Sequence, residues 1–285
     1  MDSHRYPGVW EELHGCVHMR IDLNADVGES FGAYELGHDA VLMAALTSAS
    51  VACGFHAGDP GVMRETVALA RNHRTAVGAH PGFPDLVGFG RREMRATPRE
   101  VEDFVVYQVG ALAAVAAAQG VRLQHVKAHG ALYNMAVRDA ALADAIARAT
   151  ASVDPALMIF GLPGSQLVAA GQRAGLRTVR EAFADRAYQP DGALLPRSQH
   201  GALIEDPDTV VARAVSIVCD HAVIAIDGSH VDLDVDTLCV HGDTPGAALL
   251  ASRIRQALTA AASSVASARR REITRLMASS PMVTP

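Results

Sequence analysis

The sequence predicts an α/β fold, a single seven-stranded parallel β/α barrel of the TIM-like kind. Seven short apolar segments alternate with helical stretches, the order that builds a parallel sheet. Polar motifs follow nearly every segment, and loops after many different strands meet only if the strands form a ring. Neither GxGxxG nor a Walker A run occurs, so the phosphate loop that marks the switch point of an open, doubly wound sheet is missing.

The candidate strands lie at 17–23, 49–53, 76–79, 123–128, 157–160, 177–182 and 237–240. Helix starts between them are marked by Asp59-Pro60, Asp206-Pro207 and Thr244-Pro245. A fourth, Thr97-Pro98-Arg99-Glu100, joins a capping box to proline at the first helical position. Gly120 and Gly175 stand where helices should end. Residues 222–236, rich in Val, Ile, Asp and Gly, read as a small hairpin inserted before the last strand. The barrel is expected to span 19–262, with an N-terminal extension over 1–18 and a C-terminal helix or tail over 263–285.

Composition narrows the function. With 285 residues, 49% of them hydrophobic, the chain can bury a large core, a length that suits either one α/β barrel or two small domains. A net charge of -6 argues against nucleic acid as a partner, because phosphate neutralisation needs clustered Lys and Arg. The basic run at 269–271 reads as a solvated helix or tail. The first 20 residues carry no apolar signal region, and the apolar run at 111–118 is too short to cross a bilayer. Cys16, Cys53, Cys219 and Cys239 show no CxxC spacing, so four reduced thiols are expected. A cytoplasmic protein with no membrane partner is the reading.

Two polar alternations point to chemistry. Asp22, Asn24 and Asp26 alternate with Leu23 and Ala25, which places them on one face of a strand, and Glu29 follows beyond Gly28. His125, Lys127 and His129 share a face in the same way. Of the 25 Lys and Arg residues, Lys127 alone is lysine. Its ammonium is a compact point charge where a guanidinium is a rigid fork, so a position that keeps lysine in an arginine-rich chain marks a specific need. His56, His80, His129 and His241 fall at strand ends, whereas His4, His14, His18, His38 and His73 are expected at the surface.

The runs IDLNADVGESFG, TSASVACGFHAGDP, GAHPGFPDLVGFGRR, HVKAHGALYN, EAFADRAYQPDGALLPR and CVHGDTP, in this order over about residues 21 to 258, together resemble the LamB/YcsF family. The resemblance implies a barrel of the glycoside hydrolase/deacetylase type. It also implies ATP-dependent hydrolysis of the cyclic amide 5-oxo-L-proline to L-glutamate, as one subunit of a 5-oxoprolinase with partner subunits B and C. ATP, with Mg²⁺, is the implied cofactor. Ala25, Ser50 and Ala128 depart from the family's usual Cys, Asn and Pro, and Ser50 is the change expected to tune substrate binding.

A lactam is an unreactive amide, so a cation near a transferred phosphoryl group and a base near the attacking water are needed. Lys127 is the expected charge stabiliser and Asp26 the base, with Glu29 the second candidate; His56 and His129 would orient or protonate the lactam. Asn24, His80, Tyr133, Asn134, Arg186 and His241 are expected to bind substrate, Arg186 by a bidentate pair with a carboxylate. Alternatives are a non-catalytic substrate-binding subunit, or a metal-dependent amide hydrolase or deacetylase. In the latter a divalent ion at the barrel mouth would be held by Asp22 or Asp26 with His56, His129 and also His80.

Overall fold

The computed structural model describes residues 21–197, 199–240 and 246–262. Seven parallel strands close into a barrel: β1 (Asp22–Val27), β2 (Ser48–Ala52), β3 (Ala76–His80), β4 (Leu123–Val126), β5 (Met158–Gly161), β6 (Arg177–Phe183) and, closing the ring between β6 and β1, β9 (Thr237–Val240). Closure places Thr237 beside both Asp22 and Glu181. The intervening β7 (Ala222–Ile224) and β8 (His230–Asp232) form the expected antiparallel hairpin.

Every residue of β1 is buried, because helices cover its outer face and the barrel filling covers its inner one. Leu23, Ala25, Val27, Ala49 and Val51 join the main apolar core between sheet and helices. The inward set is polar: Asp22, Asn24, Ser48, Ser50, His125, Glu181 and Thr237 are each fully buried. Such groups are tolerated inside only when hydrogen-bonded. Thus Asp22 accepts from Ser48 (2.7 Å), Thr237 (2.6 Å) and Thr47, and Ser50 Oγ lies 3.2 Å from His125 Nε2. Gly78 leaves the room for His125, since a Cβ there would sit 2.1 Å from the imidazole.

The helices are α1 (Asp39–Leu42), α2 (Pro60–His73), α3 (Pro98–Ala117), α4 (Gly130–Ala136), α5 (Ala140–Val153), α6 (Gln166–Arg173) and α7 (Pro207–Cys219), with a 3-10 turn over Met43–Ala45 and further helix at 247–262. Three starts follow the local chemistry expected of them. Asp59 caps α2, Asp206 caps α7, and Thr97 with Glu100 forms the full capping box of α3. Gly120 and Gly175 adopt left-handed φ values of 71° and 76° just past helix ends.

Several bounds differ from expectation. β1 runs over Asp22–Val27, past the expected end at 23, because its pairing with β2 continues to Val27; positions 17–20 lie outside the described residues. β4 stops at Val126, although Lys127 N–H still donates to Ala79 O (2.9 Å) and His129 N–H to Pro81 O (2.8 Å), so backbone pairing carries both side chains to the barrel mouth. The extension at 1–18, the first two residues of the expected barrel, Thr244-Pro245, His241, Cys16 and the tail at 263–285 lie outside the described residues. Cys53, Cys219 and Cys239 are free, and no described helix is long and apolar enough to cross a membrane.

Candidate active site

Strands β1, β6 and β9 and the chain leaving β4 aim side chains at one point near the C-terminal mouth of the barrel. Lys127 Nζ occupies it, 2.9 Å from Asp26 Oδ1, 2.9 Å from Glu181 Oε1, 3.0 Å from Asn24 Oδ1 and 2.9 Å from Cys239 Sγ. An ammonium has three N–H donors, so these partners exhaust it. Burial opposes its charge, but the Asp26 carboxylate, the hydrogen bond to Cys239 and the Glu181 carboxylate outweigh burial and hold its pKa well above the ordinary lysine value. Lys127 is therefore a fixed cation and not a base. Burial pushes the neighbouring Cys239 thiol far up, against the pull of Lys127, and keeps it neutral.

Beside this centre three histidines and a glutamate converge. Ligand atoms of Glu29, His56, His80 and His129 all lie within 4.8 Å of one another, and all four residues are buried. His80 Nδ1 is 2.7 Å from Lys127 O and His129 Nε2 is 2.8 Å from Phe89 O. A carbonyl only accepts, so each ring donates through that nitrogen and leaves its other nitrogen facing inward. Those two inward nitrogens, His80 Nε2 and His129 Nδ1, are 2.9 Å apart. His56 stacks on His129 with ring centroids 3.7 Å apart and has no hydrogen-bond partner on either nitrogen among the described residues. Burial first, and then the neighbouring histidines, hold the pKa values of His56 and His129 well below the usual imidazole range, so both rings are neutral. Imidazoles fixed by backbone carbonyls at His80 and His129, with the His56 ring and the Glu29 carboxylate beside them, make a donor set that fits a divalent transition metal.

The loop after β3 holds this set in place. Phe89 has a left-handed φ of 52°, which turns its carbonyl onto His129, and Gly90 presses on Gly130 so closely that a Cβ at Gly130 would lie 2.6 Å from Gly90 O. Gly90 O also accepts the Ala131 N–H at 2.9 Å. One of the first N–H groups of α4 is therefore taken up by the loop, while His129, Gly130 and Ala131 still line the cavity above it.

A cavity of about 450 Å³ opens above, lined among others by Asp26, Glu29, His80, Lys127, His129, Tyr133, Asn134 and Arg186. The structure thus brings eight of the residues expected from the sequence to one space. Asn24 and Asp22 are not among them. The Asn24 amide is spent on Glu181 (3.0 Å), Thr237 (2.8 Å) and Lys127 inside the barrel. Asp22 is held by three hydroxyls deeper in the barrel and is absent from the metal-competent group, where Glu29 stands in its place; Asp26 lies 3.3 Å from His80 at the edge of that group. His56 stands behind His129 and does not line the cavity. Ser50 likewise faces His125 in the interior and does not line it.

Arg186 is 3% exposed and donates to Leu195 O (2.6 Å) and Ala202 O (3.3 Å). Burial, and next Arg197, lower its pKa to about 10 against the pull of Asp185. Tyr133 lines the cavity as expected, but its hydroxyl donates to Glu181 Oε2 (3.1 Å). Glu181 and Cys239 are not singled out by the sequence reading. A signal for them exists, since Val179, Glu181 and Phe183 on β6, and Thr237 and Cys239 on β9, follow the same period of two as β1.

The LamB/YcsF family model matches residues 21–272. A Bordetella pertussis protein, named as the A subunit of 5-oxoprolinase, is 57% identical over 238 residues, covering 84% of this chain and 94% of its own. The Bacillus subtilis protein of that name is 55% identical over 242 residues, covering 85% and 94%. Among solved structures, the lactam utilization protein of Thermus thermophilus superposes with a TM-score of 0.80 at 51% identity, covering 85% of this chain and 96% of that one.

Proposed function

Because the chain belongs to the LamB/YcsF family, we propose that it works in the opening of 5-oxo-L-proline to L-glutamate, as one subunit of an ATP-hydrolysing 5-oxoprolinase with subunits B and C. The observation that carries this reading is the cavity's pairing of a buried guanidinium, Arg186, with a buried ammonium, Lys127. A small cyclic amide bearing a carboxylate needs both: a fork for its carboxylate, and a fixed positive charge where its carbonyl oxygen gains negative charge. Asp26, the partner of Lys127 that opens on the cavity, is the base for water, with Glu29 as second candidate. Asn134, exposed at the rim, is left to meet the substrate's polar edge. ATP, together with Mg²⁺, is assigned to the assembly of this chain with its partner subunits.

The test compares 5-oxoproline with 2-pyrrolidinone, the same lactam without its carboxylate. Calorimetry on the full chain with its partners should show 5-oxoproline bound more tightly, and Arg186→Met should remove roughly tenfold or more of that preference. Equal preference in wild type and variant would overturn the assignment of Arg186.

The group Glu29, His56, His80 and His129 favours a second reading, metal-dependent hydrolysis of an amide. A divalent ion held there would polarise the amide carbonyl and lower the pKa of water. Native mass spectrometry of the chain titrated with Zn²⁺ or Mn²⁺ checks it, with one ion expected per wild-type chain and none on the His80→Ala/His129→Ala double variant.

A further inference from the structure

Glu181 lies on the inward face of β6, which alternates Arg180 outward, onto Asp236 (2.8 Å), with Glu181 inward. It has no exposure and does not line the cavity. A carboxylate there must be fully paired, and it is: Oε1 receives Lys127 Nζ at 2.9 Å and Asn24 Nδ2 at 3.0 Å, while Oε2 receives the Tyr133 hydroxyl at 3.1 Å.

Lys127 thus sits between two carboxylates of different access. Asp26 opens on the cavity and Glu181 is sealed behind it. We propose that Glu181 is a positioning residue, a permanent counter-ion that keeps the Lys127 ammonium in place while Asp26 is released to substrate. Were Asp26 the sole counter-ion, taking a proton from water would leave a buried cation unpaired at that moment, at high cost. The same carboxylate fixes Tyr133. With its proton committed to Glu181, the phenol turns an oxygen lone pair toward the cavity and is an acceptor there, suited to a ring N–H. The inference rests on the proposed lactam chemistry for its catalytic consequence, but the placement of Lys127 does not depend on it.

Because Lys127 is the chain's sole lysine, lysine labelled with ¹⁵N at Nζ and ¹³C at Cε gives one side-chain ammonium signal from the full chain. A buried, paired ammonium exchanges slowly enough to be seen. In wild type and in Asp26→Asn that signal is expected to persist, and in Glu181→Gln to broaden or vanish; a signal retained in Glu181→Gln, or lost in Asp26→Asn alone, overturns the proposal. In the reconstituted complex, Glu181→Gln should lower kcat for glutamate release by roughly tenfold or more with KM changed much less. Glu181→Asp, which keeps the charge, should recover part of both signal and kcat, and it decides the matter if the Gln variant does not fold. For Glu181→Asp alone, behaviour indistinguishable from wild type in signal and kcat, or no signal at all, counts against the proposal. If the wild-type complex releases no glutamate, the lactam reading fails while the ammonium signal still decides the role of Glu181.

Discussion

At the scale of single residues, the barrel interior is a set of charges that hold one another. Lys127→Ala leaves Asp26 and Glu181 facing each other without their cation, and a buried pair broken in this way costs about 3–5 kcal/mol, read as a lower urea midpoint. Lys127→Arg is not expected to restore it, since a planar fork does not replace a point charge with four close partners. Asp22 gives a pH signature. Burial raises its pKa to about 6, against the hydrogen bonds from Thr237, Thr47 and Ser48, with the Glu181 charge adding to the rise. The folded state therefore holds a proton that the unfolded chain has lost, and stability falls as pH rises from about 4 to about 6, by about 3 kcal/mol. Asp22→Asn should flatten that part of a denaturation-midpoint profile; an unchanged slope would show that Asp22 is not its source. Residues such as Asp26 and Lys127 are legible in the sequence because polar side chains repeat every second position in an apolar setting. Glu181 is not, because its strand carries other charges: Arg177 and Arg180, exposed or half-buried, hide the one that faces inward.

At the scale of elements, helix starts are the clearest part of the sequence because capping is local chemistry. Thr97→Ala removes the side-chain acceptor of the capping box and should cost about 1 kcal/mol in chemical denaturation. The strand ends are less legible, since a parallel strand is bounded by its neighbours' register and not by its own residues. The loop after β3 is the least legible: its function depends on the Phe89 carbonyl reaching His129 and on Gly90 meeting Gly130, contacts that no local pattern announces. Gly130→Ala tests that contact. Alanine there faces both a left-handed φ of 55° and the Gly90 carbonyl, so a loss of about 1–3 kcal/mol is expected, together with weakened Zn²⁺ uptake.

At the scale of the whole molecule, ring closure turns scattered motifs into a site. Residues from positions 24 to 239 meet at one ammonium only because β9 returns between β6 and β1. The alternation of strands and helices suggests such a ring, and polar motifs after successive strands favour it over an open sheet, but which side chains touch is decided by register. That is why the metal-competent group draws on Glu29 and not Asp22, and why Asn24 is structural. We propose that this convergence on Lys127 serves the opening of a lactam. It is tested most directly by glutamate release from 5-oxoproline, with ATP, in the complex rebuilt from this chain and its two partner subunits. The wild-type complex is expected to release glutamate, and Lys127→Ala, assembled to the same extent, to lose at least about a hundredfold in rate. Near wild-type release by an assembled Lys127→Ala complex would contradict the account.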